Sequence, residues 1–109
     1  MSTPEVSYDE AIEMQQKGDL EGAIAKLQQL VGQDPGCALA HSALSVFFSK
    51  IEKYDEAIEH ARRVCELEAD DPFSFVALSL VCQKAGRIMD AEQALMQARQ
   101  AQASGRPEF

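Results

Sequence analysis

Basic residues are scarce in this chain of 109 residues: ten Lys and Arg stand against 18 Asp and Glu, a formal net charge of −8. Binding to nucleic acid needs a basic face that neutralises phosphates, so this charge balance excludes a nucleic-acid surface. No apolar run approaches the roughly 18 residues of a membrane span, and the first residues lack a basic region followed by an apolar stretch. The sequence therefore predicts a cytoplasmic protein that contacts neither nucleic acid nor membrane.

The three cysteines, Cys37, Cys65 and Cys82, form no pairing pattern. Their odd number and the lack of a Cys-x-x-Cys motif suggest neither a disulfide framework nor a zinc site, so we expect reduced, partly buried thiols. Cys37 and His41 are four residues apart and can share a helix face, but two ligands do not make a metal site. His60 stands among charged residues and is predicted to lie on the surface. The sequence thus predicts no metal and no cofactor.

The motifs of catalytic sites are missing as well. The sequence has no Ser/His/Asp order, no Gly-rich phosphate loop and no clustered histidines. The adjacent acids Asp70 and Asp71 fall in a predicted turn, where capping of the next helix explains them. We therefore predict no enzymatic activity.

The composition favours helices. Tryptophan is absent, Ala, Leu, Glu and Gln are abundant, and the four prolines lie near the ends of the predicted elements. Proline does least damage to helices at those places, so the composition predicts an all-α protein. A chain of this length can build one modest hydrophobic core, and residues 1–109 are therefore assigned to a single domain.

A repeat of 34 residues organises the chain. Mostly small or apolar residues recur at this spacing in five columns, and such a period is typical of stacked helical repeats. The columns are Gly18, Glu52 and Gly86; Leu20, Tyr54 and Ile88; Ala23, Ala57 and Ala91; Leu27, Ala61 and Leu95; and Leu30, Val64 and Ala98.

This pattern resembles the tetratricopeptide repeat (TPR) family over about residues 4–103. The resemblance implies two antiparallel helices per repeat, and hence a right-handed superhelical stack of three antiparallel helix-turn-helix hairpins, an α-solenoid. The repeats fall at about 4–37, 38–71 and 72–103, and the tail 104–109 is expected to be disordered. Turns and caps place the helices at about 5–16, 20–32, 38–50, 54–67, 72–84 and 88–102.

The sequence departs from the family pattern most clearly in its first helix. The family's tryptophan position holds Ser7, His41 and Phe75, and the first helix also lacks the family's Leu-Gly pair. Ser7 and Glu10 have the spacing of a capping box, so this helix could instead begin at Ser7. We therefore expect the first helix to be the weakest member of the stack.

In TPR proteins the first helix of each repeat lines a concave groove, and the resemblance assigns groove positions in all three repeats. It implies a shallow apolar trough suited to a peptide or an amphipathic helix. The alternative is that these side chains are ordinary packing between helices. Lys50 and Lys84 can take an acidic side chain of a ligand or pair with helix dipoles. The assigned residues are Tyr8, Ile12, Leu39, Ser42, Ala43, Val46, Lys50, Phe73, Val76, Ala77, Leu80 and Lys84.

Some family members bind the acidic tails of heat-shock chaperones through a clamp of lysine, asparagine and arginine side chains. The equivalent positions here hold Tyr8, Ile12, Ala43, Phe73 and Ala77, none of which can grip a carboxylate. We therefore predict a different protein–protein interaction module, an adaptor or scaffold that binds a peptide or amphipathic helix in the apolar groove.

Two other functions stay open at this point. The chain could be a self-assembling structural unit, or a homodimer that closes through its terminal helices near Met89 and Met96. It also resembles the small acidic three-repeat chaperones of bacterial secretion systems, although those carry additional helices.

Overall fold

The computed structural model describes residues 3–104 and is helical along most of that range. Its helices are α1 (Pro4–Gln16), α2 (Leu20–Gln33), α3 (Ala38–Lys50), α4 (Tyr54–Leu67), α5 (Pro72–Lys84) and α6 (Ile88–Ser104). The bounds lie close to the predicted ones, and the all-α prediction is confirmed. Ser104, the first residue of the predicted tail, belongs to α6, and residues 105–109 lie outside the described range.

α1 begins earlier than its capping-box motif indicates. Thr3 is the N-cap, and its hydroxyl oxygen accepts a hydrogen bond from the backbone N–H of Val6 at 3.2 Å. Pro4 follows in the first turn, where its missing N–H has no partner to lose. Ser7 lies inside the helix and is buried, so the alternative start at Ser7 is wrong.

The turns inside the three hairpins share a left-handed backbone conformation. Gly18 and Gly86 have φ angles of 93° and 79°, which glycine adopts without a steric penalty. Glu52 stands at the same place in the middle repeat with φ 61°, and its N–H donates to the Ser49 carbonyl at 3.1 Å. All three hairpins therefore close through turns of similar geometry, although only two of them use glycine.

Small side chains at one repeat position let the two helices of each hairpin approach closely. Ala23 and Ala57 are 0% exposed and Ala91 is 2% exposed, so a larger side chain there would hold the helices apart. Leu27, one turn further along α2, is fully buried, whereas Leu95 at the same place in the last hairpin is only partly buried. The alanine column thus sets the spacing inside each hairpin.

The hairpins α1–α2, α3–α4 and α5–α6 follow one another in an elongated body of 47 × 33 × 21 Å. α3 packs against α2, and α5 packs against α4 and more lightly against α3. Buried residues from successive hairpins, among them Leu27, Leu44 and Ile58, form one apolar cluster. Each hairpin therefore buries its apolar side against its neighbours. The residue numbers at which one repeat passes into the next stay a prediction.

Two histidines tie the turn before α3 to α4. His41 is buried; its Nε2 lies 2.9 Å from the Pro35 carbonyl oxygen, and its Nδ1 lies 2.9 Å from His60 Nδ1. Because a carbonyl only accepts, neutral His41 carries its proton on Nε2 and accepts a hydrogen bond from His60 Nδ1–H. The His60 ring also stacks on Phe48, with ring centroids 5.7 Å apart. His60 is therefore half-buried rather than a free surface residue as predicted, because this face of α4 meets α3.

The stability of the fold should depend on pH through His60. Burial, and to a lesser degree the nearby His41, lower the pKa of His60, against smaller opposing effects of Glu59 and Glu56. A histidine in the unfolded chain has a pKa of about 6.5 and so binds more protons in mildly acid solution than folded His60 does. Neutral His60 therefore contributes its full stability to the fold above the pKa of His60 in the unfolded state. This contribution is lost as the pH falls from that pKa toward the lower pKa of His60 in the folded state.

Thermal melts followed by circular dichroism at about pH 7.5 and about pH 5.5 should give the lower Tm at the acid pH. His60→Gln is the matched variant, because a glutamine amide can still donate a hydrogen bond to His41 but does not titrate. The difference in Tm between the two pH values should shrink in this variant. An unchanged difference would contradict the assignment of the effect to His60.

The thiols of Cys37, Cys65 and Cys82 are free, and the last two are buried. Burial raises the pKa of Cys65 and of Cys82, which favours the unreactive protonated form. Within residues 3–104 no three or more His, Cys, Asp or Glu side chains are grouped so that they could hold a metal ion. Over the same residues, no helix has both the length and the apolar character needed to cross a membrane.

Candidate functional site

α3 and α5 stand side by side and leave a groove between them, backed by α4. The groove encloses about 380 Å³, and we call it the α3–α5 groove. Its lining residues on each helix are three or four positions apart, so they share one helix face. Seven of the residues assigned from the sequence line it: Ser42, Val46 and Lys50 on α3, and Phe73, Ala77, Leu80 and Lys84 on α5.

Three apolar side chains of the α3–α5 groove are unusually exposed. Val46 is 51% exposed, Phe73 77% and Leu80 54%. Contact between apolar surface and water is unfavourable by about 25 cal/mol per Å², so covering these side chains would stabilise a complex. Because they come from two helices and border one cavity, a single ligand can cover all three.

The back of the groove is formed by residues that were not predicted from the sequence to line it. Ala61 and Val64 of α4 line it, and both are buried. In the sequence, both residues stand out only as members of the repeat columns. The signal that could have revealed the cavity is the repeat column of Ala61, because the other two repeats carry the larger Leu27 and Leu95 there. The remaining lining residues, also missed, are Ser45, Ser49, Glu68, Asp71, Ser74 and Val81.

Charged side chains stand at the two ends of the α3–α5 groove. Lys50 and Lys84 are the last residues of α3 and α5, whereas Glu68 and Asp71 precede α5 at the opposite end. The Lys50 Nζ lies 5.7 Å from the centroid of the Phe47 ring, within the range of a cation–π contact. The groove is therefore basic at one end and acidic at the other.

The other five residues assigned from the sequence lie outside the α3–α5 groove. Tyr8 and Ile12 are partly buried and border a separate depression on α1. Val76 borders a cleft of about 210 Å³ between α5 and α6. Leu39 is 56% exposed but does not line the groove, and Ala43 is 8% exposed and belongs to the core. Leu39 and Ala43 lie seven residues before Val46 and Lys50 and so are on the same side of α3, but Ala43 is buried in the core and Leu39 stands nearer the start of the helix than the lining residues.

No family model matches the sequence, and no curated protein matches it either. Solved structures do resemble it. The second TPR of Spaghetti (RPAP3), bound to the HSP90 peptide SRMEEVD, has a TM-score of 0.77 at 19% identity, covering 90% of this chain and 91% of that chain. The type III secretion translocator chaperone SycD of Yersinia enterocolitica has a TM-score of 0.80 at 23% identity, covering 98% of this chain and 80% of that chain.

MamA is a third similar structure, with a TM-score of 0.85 at 16% identity over 98% of this chain. This chain spans 60% of that MamA chain and 61% of the chain matched in the CopN–Scc3 complex. At such identities the likeness is one of fold. The 34-residue period, the paired helices and these similar structures together show that the chain has the tetratricopeptide-repeat fold, a right-handed superhelical stack of antiparallel helix-turn-helix hairpins.

Proposed function

We propose that this protein is a non-catalytic protein–protein interaction module, an adaptor or scaffold that holds a peptide or amphipathic helix of another protein in the α3–α5 groove. The observation that carries the proposal is the convergence of Val46, Phe73 and Leu80, each more than half exposed, on one cavity. Apolar burial is the dominant favourable term in most protein association. A groove with walls made of helices presents these side chains ready for the anchors of a ligand.

The similar structures support a peptide ligand. The second TPR of Spaghetti is bound to the peptide SRMEEVD. Because the clamp positions of this chain carry apolar and aromatic side chains, we propose that apolar anchors of the ligand, rather than a terminal carboxylate, provide the main contacts. The net charge of −8 supports a protein partner over a nucleic acid. We place the module in the cytoplasm, away from membranes.

A second candidate function is a small acidic chaperone that holds a secreted protein. SycD is a secretion translocator chaperone, and its structure covers 98% of this chain. A chaperone of this kind would use the same groove, so the two candidates differ in the identity of the bound protein. Met89 is 84% exposed and Met96 is 58% exposed on α6, which supports a homodimer through the last helix. Size-exclusion chromatography with light scattering distinguishes the dimer from a monomer.

Val46→Glu and Phe73→Glu should each weaken partner binding at least about tenfold, or about 1.4 kcal/mol, because each places a charge among apolar anchors. Both side chains are more than half exposed, so both variants should melt close to the wild type. The measurement is an affinity pull-down from the native cell, with retained proteins quantified by mass spectrometry and the fold checked by circular dichroism.

Val6→Glu is the matched control, since Val6 is an apolar residue of α1 that is 46% exposed and does not line the groove. Proteins retained by the wild type and by Val6→Glu should be lost from the two groove variants. If both groove variants unfold, Val46 and Phe73 belong to the core and the proposal is wrong. If both fold and retain the same proteins, the partner binds another surface.

A further inference from the structure

A lysine is the last residue of each of the two helices that form the walls of the α3–α5 groove. Lys50 ends α3 and Lys84 ends α5, whereas α1, α2, α4 and α6 have no basic residue in their last turns. A lysine at a helix C-terminus interacts favourably with the helix dipole. Lys17, the C-cap residue of α1, is placed for the same interaction but is paired with Glu13 and lies outside the groove, whereas Lys50 and Lys84 both border it.

Both lysines border the cavity and have no acidic partner. Neither Lys50 nor Lys84 forms a salt bridge within residues 3–104, although several other basic residues of the chain do. The cation–π contact with Phe47 positions Lys50 at the edge of the groove. In a protein with a net charge of −8, two unpaired cations that border one cavity would attract an anionic side chain of a ligand.

The opposite end of the groove carries Glu68 and Asp71. Glu68 is exposed and forms no salt bridge within the described residues. Asp71 accepts a hydrogen bond from the backbone N–H of Phe73 at 3.0 Å, so its carboxylate is held at the start of α5. The two charged ends are separated by the length of α5, 13 residues, which at 1.5 Å per residue is about 20 Å.

We propose that the ligand of the α3–α5 groove is a segment with opposite charges at its two ends: an acidic residue that contacts Lys50 and Lys84, an apolar stretch over Val46, Phe73 and Leu80, and a basic residue that contacts Glu68 and Asp71. This inference rests on the proposed function and adds the chemistry and orientation of the ligand. The charges should be separated by about six residues in an extended segment, or about 13 in a helix. The apolar stretch provides affinity, and the charged ends determine the direction in which the segment lies.

The test begins with peptides selected from a random 16-residue phage library on the immobilised full chain. Selected peptides should carry an apolar stretch with acidic residues on one side and basic residues on the other, always in the same order. One selected peptide and a second peptide with its acidic and basic residues exchanged are then compared by fluorescence anisotropy. The exchanged peptide should bind the wild type at least about tenfold more weakly, because like charges then meet at both ends.

The double variant Lys50→Glu and Lys84→Glu should lose or reverse this preference. The control is Lys17→Glu with Lys53→Glu, which changes the net charge equally at two exposed lysines that do not line the groove. This control should keep the wild-type preference. Circular dichroism checks that both double variants remain folded, as expected for substitutions at exposed positions.

Each outcome has a definite meaning. If selected peptides bind in a way that Val46→Glu weakens, but the exchanged peptide binds the wild type equally well, the charge inference is wrong and the proposed function stands. If the control double variant loses the preference as fully as the groove variant, general charge attraction explains the result and the inference is also wrong. Selected peptides that Val46→Glu does not weaken, or a failure to select any peptide, would contradict the proposed function itself.

Discussion

Phe48→Ala should lower the free energy of unfolding by about 3–5 kcal/mol, a large fraction of the total stability of a typical domain. Phe48 is 5% exposed, belongs to the apolar core and stacks on His60. Removing the ring takes away buried apolar contacts and leaves a cavity that the packed helices α3 and α4 can close only in part. Urea unfolding followed by circular dichroism measures this change.

Phe73→Ala is the matched control, because the same exchange is made at a side chain that is 77% exposed. Its effect on unfolding should stay below about 1 kcal/mol. If Phe48→Ala leaves too little folded protein to measure, Phe48→Leu provides a milder variant, expected to lower the stability less. Equal losses for Phe48→Ala and Phe73→Ala would mean that Phe73 is packed as a core residue, and the α3–α5 groove would then not be open.

The second large effect should come from making a core residue bigger. Ala57→Leu is expected to lower the free energy of unfolding by about 1–3 kcal/mol, because Ala57 is 0% exposed and a leucine there must push α3 and α4 apart or strain its own rotamer. Thermal melts should show the loss as a decrease in Tm of several degrees, on the scale of about 4–8 °C per kcal/mol for a domain of this size.

Ala25→Leu provides the comparison for Ala57→Leu, since Ala25 is an exposed residue inside α2 and leucine is nearly as good a helix former as alanine. This variant should melt close to the wild type. Two equal melting temperatures for Ala57→Leu and the wild type would show that the alanine column does not lie between the helices. The assignment of the 34-residue register would then be wrong.

The helices were predictable because several local signals agree. The 34-residue period, the turn glycines and the caps each limit where a helix can begin or end, and α3, α4 and α5 have the predicted bounds. Asp71 followed by Pro72 is such a signal, and the structure shows Asp71 as the N-cap of α5. For α1 the sequence predicted a start at residue 5 or at Ser7, and only the geometry shows that Thr3 is the N-cap.

The groove was predictable only in part. The resemblance to TPR proteins assigned Val46, Lys50, Leu80 and Lys84 to a groove, and these four residues border the α3–α5 cavity. The cavity behind these residues depends on how far side chains of α4 fill the space between α3 and α5. Ala61 leaves this space open, and its small size is noticed only by comparison with the other two repeats. His60 is a similar case, since its neighbours in the sequence are charged while its neighbours in space are His41 and Phe48.

The pairing of each hairpin with its neighbours also determines how the chain can reach its fold. The extensive contacts between helices join elements that are consecutive in the sequence, whereas α3 and α5 touch lightly. Such contacts close short loops, whose entropic cost is small, and chains with mainly local contacts fold in microseconds to milliseconds. Folding can start in any hairpin and spread to the next one. Adding or removing a whole hairpin would therefore change the number of docking steps between hairpins but not the length of the loop closed in each step.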